Sequence, residues 1–364
     1  MLKLPIYMPP DFSEARFVEA PNASLGVVER DGISPRGYHA MSIFPEYFKV
    51  NGSWFLAEES RMDTVAVVRD EPGHEKVDVV EFRNLKAGDK VVLGRTEDGS
   101  EGIFLYTDGF REPEGREADR FAFRSGRSRE TAFSIDYDRL YDVLRHEKAN
   151  GGFITWVLGT SLALDREARQ ALERLIRAGF VNGLISGQGL VAFDLERERC
   201  GTTWGQKVFR REQNTRDNMF RVVNDVRAAG SIEAFLASSG ITGGITKALV
   251  DCHVPYVLAG TIRDKLLLPG TYDNVYRAQD AMRALSRKSS TVVMASTILF
   301  TVATGNMTPS YNRFGGKIRP VYIYTVDIQE FAVNKLSDRG TLTATSLVTN
   351  SQDFVRHVAR ALTR

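Results

Sequence analysis

Several short segments in the second half of the sequence place small residues and hydroxyls directly after an apolar run. The clearest are residues 158–161 (LGTS), 186–189 (SGQG) and 259–264 (AGTIRD). Small residues let backbone N–H groups approach a phosphate closely, and hydroxyls add further donors. These segments therefore indicate that a nucleotide binds where the apolar runs end.

The third of these segments leads into charged groups that could act on a substrate. Arg263 or Lys265 could hold a carboxylate, while Asp264 could bind an amine or move a proton. The alternative for Arg263 and Asp264 is an internal salt bridge, because charges that follow a buried strand need a partner. We predict the catalytic role and keep the salt bridge as the alternative.

Two other polar residues and one glycine-rich turn each have a functional and a structural interpretation. Asp327 ends a strongly apolar run and could bind ribose hydroxyls, or it could cap a helix beginning near Gln329. Asn306, in GNMTPS (305–310), could lie near a nicotinamide and hold its carboxamide or a substrate amine, or it could shape a loop. Residues 187–192 match G-x-G-x-x-A, but the carboxylate expected about 20 residues later is missing, so a plain turn is the alternative there.

Composition excludes several classes of protein. The 364 residues carry a formal charge of +2, which is too balanced for a nucleic-acid or membrane surface. The two cysteines, Cys200 and Cys252, and five scattered histidines spell out neither a disulfide framework nor a metal site, and we expect the cysteines to be small core residues. No apolar stretch reaches the ~20 residues of a membrane helix, and the start of the chain lacks the apolar region of a signal peptide. We therefore expect a cytoplasmic protein without a metal.

The elements that must position these residues change along the chain. Residues 1–135 contain short β-rich runs with turn signals at Asn51-Gly52 and Asp98-Gly99, which predict a small β-rich domain. Residues 136–364 instead alternate apolar strands with amphipathic helices. The predicted strands are 153–158, 180–186, 254–260, 291–297, 321–327 and 343–348, and the predicted helices include 165–178, 217–229, 274–285 and 352–362.

Strands that are apolar throughout are those covered by helices on both faces. The second part is therefore predicted to be an α/β domain with a doubly wound parallel sheet, in which ligands bind at the carboxyl ends of the strands.

Several longer motifs follow one another from about residue 48 to 355. They include NGSWFLAEESRMD (51–63), GFVNGLISGQGLVAFD (179–194), CGTTWG (200–205), VPYVLAGTIRD (254–264), GNMTPS and VDIQEFAVNKLSDRG (326–340). In these motifs the sequence resembles the LOR/SDH-domain family, which comprises archaeal-type ornithine cyclodeaminases and the C-terminal module of arginine dihydrolase/ornithine cyclodeaminase fusions. The match covers most of the chain.

This resemblance implies an NAD-binding domain similar in fold to deoxyhypusine synthase, behind a LOR/SDH-like β-rich domain. It also implies tightly held NAD that takes a hydride from the substrate and returns it, so that ornithine becomes proline with loss of ammonia. Arg263, Lys265, Asp264 and Asn306 would then be the catalytic residues. The residues expected to hold NAD are Gly159, Thr160, Ser161, Ser186, Gly187, Gln188, Gly260, Thr261 and Asp327.

Some positions depart from the family pattern. Gln188 replaces the usual Asn, and Phe193 replaces the usual His. Leu162-Ala163-Leu164 replace a His-Thr-Gly sequence, and residues 212–215 replace a His-rich stretch. Lys265 replaces the second Asp of the usual Arg-Asp-Asp. Another amino acid or imine as substrate is therefore an alternative to ornithine. A net oxidoreductase, an aminoalkyl-transferring synthase and a non-catalytic nucleotide-binding relative also remain open. A homo-oligomer, dimer or tetramer, is expected by similarity.

Overall fold

The computed structural model describes residues 4–69, 75–111, 135–203, 217–260, 266–314, 316–329 and 342–363. The first part of the chain contains β1 (Ile6–Tyr7), α1 (Ala15–Val18), β2 (Ser24–Val27), β3 (Glu46–Val50), β4 (Ser53–Leu56), β5 (Thr64–Arg69), β6 (Lys76–Glu81), a 3-10 turn (Phe82–Asn84), β7 (Lys90–Leu93), β8 (Ile103–Leu105) and β9 (Phe110–Arg111).

The second part begins with α2 (Ile135–Ala149), β10 (Ile154–Leu158), α3 (Ser161–Leu164), α4 (Arg166–Arg177), β11 (Gly183–Gly187), α5 (Gln188–Cys200), α6 (Asn218–Ala229), α7 (Ile232–Ser238) and α8 (Ile245–Asp251). It continues with β12 (Tyr256–Ala259), β13 (Thr271–Tyr272), α9 (Val275–Ser286), β14 (Thr291–Ala295), α10 (Ile298–Met307), β15 (Tyr311–Phe314), β16 (Lys317–Pro320), β17 (Tyr322–Asp327), β18 (Ala344–Val348) and α11 (Ser351–Leu362).

The first part is built from small antiparallel sheets, as predicted. One has the order β2-β7-β5-β6 and another the order β4-β3-β8. Asn51 and Gly52 join β3 to β4 and both have positive φ angles, which is the geometry of a tight hairpin turn. Asp98 and Gly99 lie between β7 and β8, which belong to different sheets, so they do not form a hairpin turn. An isolated bridge links Asp98 to Phe104.

The second part forms a seven-stranded parallel sheet in the order β13-β12-β11-β10-β14-β17-β18. Every residue of β10, β11 and β14 is buried. One face packs against α2, α4, α8 and α11, and the other packs against α9 and α10. The predicted doubly wound sheet is confirmed, and each of the six predicted strands is present within three residues of its expected ends.

The strand order reverses at β10. The chain moves from β10 outward through β11, β12 and β13, and then returns to add β14, β17 and β18 on the other side. The crevice at the carboxyl ends of β10 and β14 is therefore the topological switch point, where open α/β sheets bind their ligands.

The two parts of the chain meet along α9 and at the opposite, amino edge of this sheet. Arg287, after α9, forms an ion pair with Glu59, and the buried hydroxyl of Tyr311 donates to Ala57 O at 2.6 Å. A cavity of about 340 Å³ lies at this seam, lined by Glu58, Glu59, Ala284, Arg287, Lys288, Asn312 and Arg313. It lies away from the strand ends that form the crevice. The domain boundary near residue 135 stays a prediction, since residues 112–134 lie outside the described ranges.

Candidate functional site

The predicted site residues that the structure describes fall into two groups. Those that follow β10, β11, β12 and β17 lie together at the carboxyl edge of the parallel sheet, because parallel strands end on the same side. These are Gly159, Thr160, Ser161, Ser186, Gly187, Gln188, Gly260 and Asp327. Asn306 is the exception and lies elsewhere.

At the switch point, Gly159 lies against Ser296, the residue that follows β14. Its N–H donates to Ala295 O at 2.9 Å, which extends the pairing of β10 and β14 by one residue. A Cβ at Gly159 would lie 1.8 Å from Ser296 O and 2.5 Å from its carbonyl carbon. Only glycine fits there, and its missing side chain brings the two strand ends together.

The hydroxyls of Ser161 and Ser296 are hydrogen bonded to each other across this crevice. Ser296 is half-buried and has a φ of +63°, in the left-handed region that disfavours residues with a side chain. Gln352, from α11, donates its side-chain amide to Ser161 O at 3.1 Å. Our sequence prediction omitted Ser296 and Gln352. The segment AST (295–297) does end a predicted strand, but the φ of a single serine leaves no trace in the sequence.

The next strand end leads directly into a helix. Gly187 ends β11 and is the N-cap of α5, and among the described residues no side chain caps that helix. Its first N–H groups therefore have no side-chain acceptor in that part of the chain and form the kind of helix end that binds phosphate. One turn in, a Cβ at Gly189 would lie 2.8 Å from Thr160 Cγ2, so a second glycine lets the loop after β10 approach this helix.

Ser186 and Gln188 already have internal partners. The Ser186 hydroxyl donates to Leu158 O at 2.6 Å, and Gln188 Oε1 accepts from Leu268 N at 3.1 Å. Both side chains are buried. They hold β10 to β11 and fix the chain after β12, so their side chains shape the crevice, whereas the backbone N–H of Gln188 belongs to the helix end.

Asp327 is placed where both of its interpretations expected it. It ends β17, next to β14, and its Oδ1 accepts from Gln329 N at 3.1 Å. This is the local capping bond of the structural alternative. The second carboxylate oxygen has no hydrogen bond within the described part of the chain, and the side chain is only partly buried, so this atom is open to a ligand.

Gly260 follows β12 at the carboxyl edge, and its N–H donates to Tyr272 O at 2.7 Å. A Cβ there would lie 2.8 Å from the same oxygen. Thr261, Arg263, Asp264 and Lys265 lie outside the described residues. Their predicted roles stay predictions.

The structure does not bring Asn306 to this edge. It lies exposed in the last turn of α10, whose ten residues run back along the sheet. The end of that helix contacts the end of α9, where Ser286 Oγ donates to Met307 O. The following Ser310 contacts the first part of the chain through Ile43 O. GNMTPS therefore joins the two parts at the amino edge, and a place for Asn306 beside a nicotinamide in the same chain is not supported.

The motif that contains Gln188 also holds a buried charge with a structural role. Asp194 accepts from Arg169 Nε at 3.0 Å, from Ile245 N at 3.1 Å and from both N and Oγ1 of Thr246 at 2.7 Å. It neutralises a buried arginine and caps α8. Asp194 therefore stabilises the helices around the site.

The cysteines are not in the core, contrary to our expectation. Cys200 and Cys252 are both exposed and unpaired, because each stands at the end of a helix. Partial desolvation of its thiol, together with the nearby Glu196 carboxylate, raises the pKa of the otherwise exposed Cys200, which disfavours a nucleophilic thiolate. In the described ranges no cluster of His, Cys, Asp and Glu is arranged to hold a metal ion. The same ranges contain no helix that is long and apolar enough to cross a membrane.

The switch point, its glycines and the uncapped helix define a class, the Rossmann-type α/β proteins with a ligand site at the carboxyl edge of the sheet. Comparison with known proteins narrows this class. The family described as arginine dihydrolase ArgZ-like, C-terminal, Rossmann fold, matches residues 139–358, and the chain belongs to it. The family resemblance and the fold class drawn from the sequence are confirmed, while the likeness to deoxyhypusine synthase stays a prediction.

Individual relatives agree with this assignment. Ornithine cyclodeaminase from Methanocaldococcus jannaschii is 30% identical over 350 residues, which are 94% of this chain and 78% of that protein. The crystal structure of a conserved LOR/SDH protein from Methanococcus maripaludis S2 has a TM-score of 0.78 and 28% identity, with 94% of this chain and 98% of that chain covered. The ternary complex of AgrE with ornithine and NAD+ has a TM-score of 0.56 and 26% identity, and covers 94% of this chain. The chain spans 46% of AgrE.

Proposed function

We propose that this protein is an NAD-dependent enzyme of the ornithine cyclodeaminase type. It would bind NAD across the carboxyl edge of the parallel sheet and convert ornithine, or a related amino acid, into a cyclic imino acid with release of ammonia. The observation that carries the proposal is the glycine-lined switch point, in a family member whose relative AgrE has been captured with ornithine and NAD+.

The residues at this edge fit a dinucleotide. Gly159 and Gly189 leave out side chains that would collide with Ser296 and Thr160, and so keep the backbone open to a pyrophosphate. The uncapped start of α5 offers N–H groups and the positive end of a helix dipole. Asp327 lies two strands from β10 and has one carboxylate oxygen available for a ribose hydroxyl.

The substrate groups would come from the segment that follows β12. Bound NAD supplies the acceptor and later the donor of a hydride at the substrate α-carbon. We propose that Arg263 and Lys265 hold the substrate carboxylate and that Asp264 holds its amine and moves a proton. Gly260, which precedes this segment, lies at the carboxyl edge, and Leu268, which follows it, is bonded to Gln188.

The test is the variant Asp264→Asn, which keeps the shape of the side chain and removes its charge. We expect it to abolish ammonia release while purified protein still carries NAD, detected by absorbance and mass spectrometry. Asp225→Asn, on the exposed face of α6, is the matched control and should behave like the wild type. Turnover by Asp264→Asn would contradict the role of Asp264, and wild-type protein that neither carries nor binds NAD would contradict the proposed function.

An oxidoreductase is the second candidate. The residues in place of the usual His-Thr-Gly include Leu162 and Ala163, which pack into the core and can carry no proton. A panel of amino acids, assayed for ammonia and for consumption of added NAD, separates the two candidates. A cyclodeaminase releases ammonia without net consumption of NAD, whereas an oxidoreductase consumes it in proportion to product.

We also propose that the protein is a cytoplasmic homo-oligomer whose copies meet at the carboxyl edge. Large apolar residues are exposed there: Val275 and Tyr276 at the start of α9, Leu299 at the start of α10, and Ile328 after β17. Apolar residues gathered on one edge are typical of an interaction surface, and a second copy would also exclude water from the reacting imine. Light scattering should find a dimer or tetramer, and a monomer at micromolar concentration would contradict this.

A further inference from the structure

Ser296 stands in a backbone conformation that serine normally avoids. Its φ of +63° is in the left-handed region, where a Cβ is strained and glycine is the ordinary choice. Residues with strained backbone conformations cluster at functional sites, and Ser296 lies at a strand end next to the proposed cofactor site.

The hydroxyl of Ser296 is bonded to that of Ser161, and this pair has hydrogen-bonding capacity left over. Two hydroxyls offer two donors, their mutual bond uses one of them, and neither hydroxyl has another partner among the described residues. The spare O–H belongs to a chain of hydrogen bonds, which polarises it and strengthens its donation to an acceptor. Both serines are half-buried, so the spare donor is sheltered from bulk water and still open to a ligand.

Three elements hold this pair in place. Gly159 joins the end of β10 to β14 through its bond to Ala295 O. Ser296 N donates to Val326 O at 3.2 Å, which ties it to β17. Gln352, from α11, binds the carbonyl of Ser161. The donor is therefore fixed before any ligand arrives, as a recognition group must be.

We propose that the Ser161–Ser296 pair donates a hydrogen bond to a pyrophosphate oxygen of the dinucleotide where it crosses the switch point. The assignment rests on the proposed function, since it takes NAD as the ligand. An anionic oxygen is the acceptor that gains most from a sheltered, polarised hydroxyl. The uncapped start of α5, separated from the pair only by the loop of Thr160, adds N–H groups to the same oxygens.

The experiment compares Ser296→Ala with Ser296→Gly by NAD titration calorimetry and by urea unfolding. Both variants lack the hydroxyl, but only glycine relieves the left-handed strain, so Ser296→Gly should be the more stable of the two. If the hydroxyl binds the cofactor, both should lose affinity equally, by about 10- to 100-fold. If instead the NAD affinity of Ser296→Gly stays near that of the wild type while Ser296→Ala loses both affinity and stability, the proposal is overturned.

A matched control exists at the other edge of the same sheet. Ser289 forms a hydroxyl pair with Thr155 at 2.7 Å, so Ser289→Ala removes a similar bond far from the crevice. It should lower stability and leave NAD affinity unchanged. Ser161→Ala should weaken NAD binding as Ser296→Ala does, and the double variant should lose little more, because the two hydroxyls act as one donor.

ADP-ribose locates the contact along the dinucleotide, since it keeps the pyrophosphate and lacks the nicotinamide. We expect Ser296→Ala to weaken ADP-ribose by the same factor as NAD. A loss for NAD alone would place the hydroxyls at the nicotinamide and overturn the assignment. If wild-type protein binds NAD and all variants bind it equally, only this inference fails. If wild-type protein binds no NAD, the proposed function fails with it.

Discussion

The variant Gly159→Ala tests whether the close approach of β10 and β14 makes the cofactor site. The added Cβ would lie 1.8 Å from Ser296 O and 2.5 Å from its carbonyl carbon. Both atoms belong to the backbone, so no side chain can rotate away. A normal contact of about 3.5 Å requires the two strand ends to separate by roughly 1.7 Å.

The cost of that separation follows from the contacts it breaks. The bond from Gly159 N to Ala295 O, 2.9 Å long, would be lost, at about 1 kcal/mol. Overpacking of a buried site adds about 1–3 kcal/mol. We therefore expect the free energy of unfolding to fall by roughly 2–4 kcal/mol. The Ser161–Ser296 bond would break as well, so NAD affinity should fall at least about tenfold.

Urea unfolding and NAD titration calorimetry on the same preparations measure both effects. Gly183→Ala is the matched control, since Gly183 is a buried glycine of β11 at the amino edge of the sheet. Its Cβ would meet side-chain atoms of Leu285 and Phe153 at 3.0 Å. That variant should lose stability and keep wild-type NAD affinity. If Gly159→Ala binds NAD as the wild type does, the switch point is not the cofactor site and the reasoning is refuted.

Much of the parallel sheet could be predicted from the sequence because local pattern and burial agree. β10 and β14 read as continuous apolar runs, and all their residues are buried between two helical layers. The helix predicted over 165–178 is observed over Arg166–Arg177, with Asp165 accepting from Ala168 N at its start. In such segments strand propensity, apolar period and capping residues all favour the same structure.

The position of Asn306 could not be predicted, because it depends on where a helix ends. Residues 298–307 are apolar nearly all round, and α10 has no clear polar face to mark its length. The β15–β16 hairpin that follows was not predicted at all. From the sequence, Asn306 is predicted near a nicotinamide, whereas α10 brings GNMTPS to the amino edge of the sheet.

Side-chain roles within the motifs were harder still to predict. The sequence offers Ser186 and Gln188 as cofactor contacts, but each side chain is already bonded to a backbone group of a neighbouring element. Ser296 is the opposite case, since nothing in the sequence singles it out and its unusual φ angle is visible only in the structure. Hydrogen bonds between elements distant in sequence have no local pattern that could reveal them.

Two further predictions concern the frame of the molecule. Asp194→Asn removes a carboxylate from the buried Arg169 and weakens the cap of α8, so urea unfolding should show a loss of about 3 kcal/mol. Asp142→Asn, which breaks an exposed ion pair, should cost under about 0.5 kcal/mol, and equal losses would contradict the buried role. The second prediction concerns His39. Burial is the largest single influence on the pKa of His39 and would lower it, but the hydrogen bond and charge attraction of the Glu46 carboxylate, with smaller contributions from Glu97 and Gly94, together outweigh burial, so the pKa is raised. A raised folded-state pKa means that the charged pair stabilises fully below the unfolded value of about 6.5. That contribution is lost as the pH rises through the folded-state value. The stability advantage of the wild type over His39→Gln should therefore shrink from pH 5.5 to pH 8.5, roughly across the range in which histidine titrates. A difference that stays constant would show that the ring at this position acts by packing alone.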